Sequence, residues 1–279
     1  MVQPRLATST SDAPQTARQV TPDMAWSLAP LIAGAPSYRP GRWIGGRFQY
    51  PRPQNPPRIT AALPSRPAAV LIHGADGSVA TLCLDLDTSK ALPGVVDEDA
   101  GRLGRLLEDC GLRYVADVSP SGGRHLYVPL AERMGAPEAR ELVEAMTLLA
   151  PSLDPGPHQN VTDGCIRVPG SAHKSGGHQI LTTPLATAYD VLRRRNPAGA
   201  VTALRRALAP ELRRARDVKA RAAKLAAVAA RGAHGVRAAP LGGSQSPLRV
   251  LARTGLYDTA RYASASEARM AVLNHFASC

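Results

Sequence analysis

The chain has 279 residues, of which 44% are hydrophobic and only 4% aromatic. This composition can bury the core of one large or two modest domains, built mostly from Leu, Val and Ala. The net charge of +12 points to a polyanionic partner such as nucleic acid, although any protein from an Arg- and Ala-rich proteome would share it. Residues 192–239 carry thirteen Lys or Arg and two acidic residues, so +11 of that charge lies in one stretch.

Cysteine spacing and hydropathy exclude the disulfide-scaffold and membrane classes. Cys83, Cys110, Cys165 and Cys279 form no CxxC pair and show no disulfide-like spacing, which favours reduced thiols. The sequence has no signal-peptide pattern and no run of about 18 apolar residues. We therefore expect a cytoplasmic protein with no membrane partner.

The first part of the chain is rich in turn-forming residues. Residues 1–22 predict a flexible leader, and residues 23–68 predict a Pro- and Arg-rich arm of a domain that extends to residue 185. Prolines and glycines in the arm exclude long regular elements. Arginines and aromatic rings alternate here, and they can grip a nucleic-acid strand or simply pack on their own domain. They are Arg39, Arg42, Arg47, Arg52 and Arg58 with Tyr38, Trp43, Phe48 and Tyr50.

Beyond residue 68 the hydrophobic periodicity predicts alternating strands and helices. Residues 70–72 and 79–87 predict a hairpin around the D-G turn at 76–77. Helices are expected over 97–110 and 137–149, and strands over 114–118 and 125–129, with a turn at 119–123. The order β-β-α-β-β-α predicts an α+β fold and argues against a doubly wound parallel sheet.

Residues 186–279 are rich in Ala, Leu and Arg and predict a basic, all-helical C-terminal domain with a linker near 232–247. A basic helix of this kind is either a solvated surface or a binding face for the phosphates of a template strand.

Two carboxylates end an apolar, strand-like run, T-L-C-L-D-L-D, at residues 81–87. In a strand, Asp85 and Asp87 project to the same face because side chains alternate. Carboxylates this close raise each other's pKa unless a cation lies between them, and hard oxygen ligands suit Mg²⁺ or Mn²⁺. The alternative is a strand end at which the two residues cap a turn before Thr88.

A second stretch, S-G-G-R-H, contains Ser121, Gly122, Gly123, Arg124 and His125. Its glycines allow backbone N–H groups to approach an anion closely, and the two basic residues add charge and hydrogen-bond donors. This pattern is typical of a phosphate-binding turn, but a plain hairpin loop has the same sequence features.

A third stretch, residues 153–178, offers the carboxylates Asp154 and Asp163 and a group of residues typical of phosphate sites. That group is Arg167, Ser171, His173 and Lys174. The same window also holds four residues that could ligate zinc, His158, Cys165, His173 and His178, separated by 7, 8 and 5 residues. These separations do not resemble the short paired spacings of structural zinc sites.

Taken in order over residues 80–180, D-L-D, S-G-G-R-H and a later Asp followed by R-V-P-G-S-A-H-K-S-G-G resemble the archaeo-eukaryotic primase superfamily. The resemblance is closest to the bifunctional primase-polymerase domains of plasmids, phages and integrative elements. It implies an RRM-like antiparallel catalytic sheet beside a smaller α/β module, and a DNA-dependent enzyme that synthesises and extends primers. The implied setting is the cytoplasm of a bacterium that carries such an element.

The resemblance also implies roles for individual residues. Asp85, Asp87 and Asp154 would coordinate two Mg²⁺ or Mn²⁺ ions, with Asp163 as the alternative third ligand. The nucleotide would be bound by Ser121, Gly122, Gly123, Arg124, His125, Arg167, Ser171, His173 and Lys174. The implied partners are a single-stranded DNA template, a primer-template, NTP or dNTP and a helicase domain or partner. No zinc is expected, because the clustered Cys and His of eukaryotic and archaeal primases have no counterpart here.

Two other classes use the same residues. A non-catalytic replication initiator or DNA-binding module would keep the fold and the basic helices without the chemistry. A metal-dependent nuclease would use the carboxylates but would not need the two phosphate-binding stretches.

Overall fold

The structure, a computed structural model, describes residues 20–235 and, beyond them, residues 251, 255, 268 and 270–272. By its contacts the chain divides into two compact units, Met1–Arg216 and Asp217–Cys279. Nearly all of the predicted leader, and the predicted linker from residue 236 onward, lie outside the described residues.

Short elements come first in the described part of the chain. They are α1 (Pro22–Trp26), α2 (Ala29–Ile32), β1 (Tyr38–Pro40), β2 (Arg42–Ile44), β3 (Arg47–Gln49) and β4 (Ala68–Leu71). The middle of the chain forms β5 (Val79–Leu86), α3 (Pro93–Asp109), β6 (Val115–Val118), β7 (Arg124–Met134), α4 (Ala136–Met146) and β8 (Leu153–Asp154). The rest forms α5 (Gly156–Gln159), β9 (Cys165–Arg167), β10 (Ile180–Leu181), α6 (Leu185–Arg194), α7 (Ala198–Ala207) and α8 (Ala209–Gly235).

The central element is a five-stranded antiparallel sheet with the strand order β10-β6-β7-β5-β8. Helix α3 connects β5 to β6, and α4 connects β7 to β8. Leu82, Leu84 and Leu86 of β5 form one buried cluster with apolar residues of both helices, such as Leu103 and Leu142. Both helices therefore cover the same face of the sheet, and the predicted α+β class is confirmed.

The opposite face of this sheet packs against a second layer. Cys83 and Tyr127 share a buried cluster with Val70 and Ile166, which belong to a three-stranded antiparallel sheet of order β1-β4-β9. Trp26 of α1 closes the same cluster. Alternate residues of β5 thus pack into two different cores. Asp85, near the end of β5, lies on the same face as Cys83, which packs against the second sheet.

The predicted hairpin between residues 70–72 and 79–87 is wrong. The turn forms, with the Gly74 N–H donating to the Ser78 carbonyl at 2.8 Å, but the two strands then join different sheets. Next to the turn, His73 and Val79 form a single antiparallel bridge, and β5 then pairs with β7 on one edge and, at Asp85 and Leu86, with β8 on the other. β4 instead forms its ladders with β1 and β9.

Helices α6 and α7 and the start of α8 belong to the first unit, which ends at Arg216. Ala188, Val191 and Leu192 of α6 enter the core between the sheets, and Leu204 of α7 and Leu212 of α8 enter the helix-covered core. In the second unit, α8 exposes its side chains from residue 217 to 227. No helix in the described residues has the length and apolar character needed to cross a membrane.

Gly170 is a point where the backbone requires glycine. Its φ is +85°, and a Cβ there would overlap the Pro22 carbonyl oxygen and lie 2.6 Å from the Trp26 nitrogen. We expect Gly170→Ala to destabilise the protein by about 2 kcal/mol or more, measured by urea unfolding. Gly199→Ala is the control, because that site has open space within a helix and Ala should raise stability by about 0.5–1 kcal/mol. Equal unfolding midpoints for the two variants would contradict this account of Gly170.

Candidate active site

A row of polar residues crosses the central sheet at matching register positions. Asp154 of β8 lies opposite Asp85 of β5, Asp85 lies opposite His125 of β7, and His125 lies opposite Asp117 of β6. Asp87, two residues after Asp85, lies just beyond the end of β5. The strands therefore bring the first and third of the predicted stretches together with the histidine of the second.

His125 is a buried cation between two carboxylates. Its Nε2 lies 3.2 Å from Asp85 Oδ1, and its Nδ1 lies 3.0 Å from Asp117 Oδ1. Burial lowers the pKa of His125, but the two carboxylates outweigh burial and raise it to about 9. Burial likewise raises the pKa of Asp85, yet the His125 cation, helped by Arg167 and Lys90, holds it below its ordinary value.

Asp117 is held by further buried groups. The Tyr127 hydroxyl lies 2.7 Å from Asp117 Oδ2 and 2.7 Å from the carbonyl oxygen of Arg167. The side-chain amide of Gln179 donates to Asp117 Oδ1 at 3.2 Å. Asp117, Tyr127 and Gln179 were not among the predicted site residues. For Tyr127 the signal was available, because it lies two residues from His125 and so shares its face of the strand.

The two candidates for the third carboxylate have different surroundings. Asp154 lies in the row, and its Oδ1 accepts from Lys90 Nζ at 2.9 Å and from the Gly156 N–H at 3.1 Å. Asp163 lies before β9, and its Oδ1 accepts from Arg39 at 2.8 Å and from Arg52 at 3.4 Å. Hydrogen bonding to Arg39 holds the pKa of Asp163 below its ordinary value. Asp163 is thus engaged by two arginines of the predicted arm.

One open cavity of about 410 Å³ collects the acidic and basic side chains. The carboxylates of Asp85, Asp87, Asp154 and Asp163 line this cavity, together with His125. Its cations are Arg167 and Lys174, and Phe48 and Tyr50 of the arm form an aromatic wall. The Nε of Arg167 and the hydroxyl of Tyr50 are buried there beside each other. Burial raises the pKa of the Tyr50 hydroxyl, and the Arg167 guanidinium only partly offsets this through its charge and a hydrogen bond. A half-buried guanidinium on the wall of a cavity offers charge and hydrogen-bond donors to an anion.

The S-G-G-R-H stretch forms the turn between β6 and β7. Ser119 Oγ accepts the Gly123 N–H at 2.8 Å and lies 3.0 Å from Ser121 Oγ, while Gly122 takes a φ of +87°. Arg124 donates to Asp97 of α3 at 2.7 Å. Of the five residues predicted from this stretch, His125 lines the cavity as the described residues define it, and the other four do not.

The third stretch is also divided between two roles. Arg167 and Lys174 line the cavity, whereas Ser171 is fully buried and its hydroxyl donates to the Ala68 carbonyl at 2.7 Å. His173 is also buried, and its Nδ1 accepts the Ser175 N–H at 3.2 Å. Burial, with the neighbouring cations, lowers the pKa of His173 to about 4. Ser171 and His173 therefore fold the loop that carries Lys174.

The donor chemistry of the cavity fits a hard divalent cation. Asp85, Asp87 and Asp154 offer only carboxylate oxygens, which Mg²⁺ and Mn²⁺ prefer. Within residues 20–235 and the few described further on, no three His, Cys, Asp or Glu side chains are gathered closely enough to hold a metal ion. The Lys90 ammonium contacts Oδ1 of Asp154, so a metal ion that binds this carboxylate would share it with Lys90 or displace Lys90.

Comparisons with known proteins give little beyond this geometry. No protein-family model matches the chain, and no curated protein matches it. Among solved structures, the chain is similar to the polymerase domain of Mycobacterium tuberculosis ligase D in complex with DNA, with 20% sequence identity and a TM-score of 0.40. The match covers 66% of this chain and 86% of that domain. With a TM-score this low, any functional assignment depends on the residues of the cavity.

His158 fastens the chain segment after Asp154 to the central sheet. Its Nε2 lies 3.2 Å from the backbone nitrogen of Cys83 and 3.1 Å from the Cys83 carbonyl oxygen. Burial lowers the pKa of His158 to about 4, and the ring of His73, 5.9 Å away between centroids, lowers it further. His158 is therefore neutral in the folded protein.

This neutrality makes stability depend on pH. Below the ordinary value of 6.5 the unfolded chain binds a proton on His158 that the folded chain refuses until about pH 4. We expect the free energy of unfolding to fall by roughly 2–3 kcal/mol from this group as the pH drops across that window. Urea unfolding at several pH values should show a shallower dependence for His158→Gln than for the wild type. An unchanged slope in His158→Gln would contradict the assignment.

Proposed function

We propose that this chain is a nucleotidyltransferase of the archaeo-eukaryotic primase superfamily, a DNA-dependent primase-polymerase that makes and extends primers. The observation that carries the proposal is the single cavity in which Asp85, Asp87 and Asp154 face Arg167 and Lys174. Carboxylates opposite cations match the two halves of a metal-triphosphate complex. The order β6-β7-β5-β8, with α3 and α4 on one face, supports an RRM-like catalytic sheet.

Mg²⁺ or Mn²⁺ would be held by Asp85, Asp87 and Asp154. Asp154 is the better third ligand because it lies directly across from Asp85, whereas Asp163 already accepts hydrogen bonds from Arg39 and Arg52. When bound, such an ion neutralises charge on the triphosphate and on the leaving pyrophosphate.

The chain's own residues would bind and orient the reactants. Arg167 places a guanidinium on the wall of the cavity beside Tyr50, and Lys174 adds an exposed ammonium at the same cavity, so we assign triphosphate binding to these two side chains. His125 holds Asp85 in its ionised form. The attacking group is the 3′-hydroxyl of the growing strand, so the protein supplies position and charge and needs no nucleophile of its own.

The proposed partners follow from the same chemistry. They are NTP or dNTP, a single-stranded DNA template and a primer-template, in the cytoplasm of a bacterium that carries a mobile element. The exposed face of α8 after Arg216 is a second candidate surface for DNA phosphates, because its charges include Arg221 and Lys224. A helicase domain or partner stays a prediction of the resemblance.

The central test is nucleotide addition to a primer-template by purified variants. Asp85→Asn keeps the size of the side chain and one acceptor oxygen but removes its charge. We expect the addition rate to fall by about 10³-fold or more, because ~4 kcal/mol of transition-state stabilisation is lost. The thermal unfolding midpoint should show that the variant is folded.

Asp163→Asn is the matched control, because Asp163 lines the same cavity but is engaged by Arg39 and Arg52. It should keep most of the addition rate. If Asp85→Asn and Asp163→Asn lost activity equally, Asp163 would also be a metal ligand, and the choice of Asp154 as the third ligand would lose its support.

DNA binding by a wild-type protein that adds no nucleotide with Mg²⁺ or Mn²⁺ would favour the non-catalytic module. Cleavage of the DNA would favour the nuclease.

A further inference from the structure

The hairpin of β2 and β3 carries a ladder of aromatic rings. Trp43 lies opposite Phe48 in the strand register, and Tyr50 lies two residues after Phe48, so all three rings share one face. Ring centroids are 5.5 Å apart from Trp43 to Phe48 and again 5.5 Å apart from Phe48 to Tyr50. Gly41 leaves room for this arrangement, since a Cβ there would lie 2.5 Å from the Phe48 ring and 2.9 Å from the Tyr50 ring.

The outer end of this aromatic ladder is unusually exposed. Trp43 is 63% exposed, whereas Trp26 is fully buried and donates from its indole nitrogen to the Thr60 carbonyl at 3.0 Å. Ile44 beside it is also exposed. Apolar surface of this kind is retained when it has a partner to contact.

The inner end of the ladder lies in the candidate active site. Phe48 and Tyr50 line the cavity that contains Asp85, Asp87 and Arg167. The rings therefore form a continuous path from solvent at Trp43 to the carboxylates. A linear partner bound along the rings would place either its end or a position within its length beside these carboxylates.

The charge on the hairpin identifies the kind of partner. Arg42 and Arg47 are exposed, and neither makes an ion pair or side-chain hydrogen bond within the described residues. They lie on the hairpin face opposite the rings, so they add positive charge to the hairpin without contacting a strand stacked on the ladder. Aromatic rings on a positively charged hairpin match unpaired bases on a phosphate backbone, whereas bases inside a duplex are already stacked and cannot reach the rings.

We propose that the aromatic face of the β2–β3 hairpin binds single-stranded nucleic acid by base stacking on Trp43 and Phe48 and leads it into the cavity. The role of that strand as the template depends on the proposed function, but the binding does not. Stacking on rings is tolerant of base identity, so this surface would bind without sequence preference.

The two tryptophans provide a direct measurement, because Trp43 is exposed and Trp26 is buried. Titration with oligodeoxythymidylate, without metal or nucleotide, should quench the fluorescence of Trp43. A duplex of the same length should quench it much less. Heparin, a polyanion without bases, should bind through the arginines without comparable quenching. Equal quenching by all three polyanions would overturn the stacking proposal.

Affinity should be measured separately by anisotropy of a labelled oligodeoxythymidylate. Trp43→Ala is expected to weaken binding by about tenfold, the change that corresponds to ~1.4 kcal/mol of lost stacking. Trp43→Phe should stay within about threefold of wild type because it keeps a ring. Ile180→Ala, which removes an apolar side chain that is 60% exposed on β10, should bind as wild type.

These outcomes separate this proposal from the proposed function. Asp85→Asn should retain wild-type affinity for the strand even where it adds no nucleotide. Wild-type affinity in a folded Trp43→Ala would overturn the hairpin proposal and leave the catalytic assignment intact. An absence of nucleotide addition together with Trp43-dependent binding would overturn only the proposed function.

Discussion

The candidate site depends on one buried positive charge. His125 is only 2% exposed, and a buried charge costs several kcal/mol unless it is paired. Asp117 and Asp85 provide that pairing from neighbouring strands, at 3.0 and 3.2 Å. In return, the imidazolium keeps Asp85 ionised in an interior where burial alone would favour its neutral form. The charge state that the proposed chemistry needs is therefore built into the free protein.

The same network also sets the position of the cationic wall of the cavity. The Tyr127 hydroxyl bridges Asp117 to the backbone carbonyl of Arg167, so it links the central sheet to β9 in the second sheet. The arm contributes from the other side, where Arg39 holds Asp163 and Tyr50 lies near Arg167. The cationic side of the cavity is thus tied to the central sheet through the buried Asp117–Tyr127–Arg167 contacts, which favours a preorganised site.

The sequence predicted the features that depend on local patterns. The Asp85–Asp87 spacing on a strand, the turn at 119–123 and the helices that became α3 and α4 all follow from periodicity and turn residues. Strand pairing could not be predicted in this way, and the expected hairpin of β4 with β5 is replaced by pairing within two sheets. Asp117 was missed for the same reason, since only the register of β6 with β7 places it beside His125.

The residues of the third stretch show a related limit of prediction from sequence. Ser171 and His173 lie in the same stretch as Lys174, but the fold turns the first two into the interior and leaves Lys174 at the cavity. A sequence pattern gives residue types and spacing in a loop, and the direction of each side chain depends on long-range contacts such as the bond from Ser171 to Ala68. For the arm the sequence left two alternatives open, and the structure shows the packing one, since Phe48 packs on Tyr50 and both line the cavity. Binding of a nucleic-acid strand by these rings stays a proposal.

The most direct test of the central claim is a crystal structure of the full chain with Mn²⁺ and a non-hydrolysable nucleoside triphosphate. Anomalous scattering locates manganese independently of the surrounding atoms. The account predicts manganese bound by Asp85, Asp87 and Asp154, with the triphosphate against Arg167 and Lys174. Manganese bound at Asp163 instead, or a triphosphate bound away from this cavity, would contradict it.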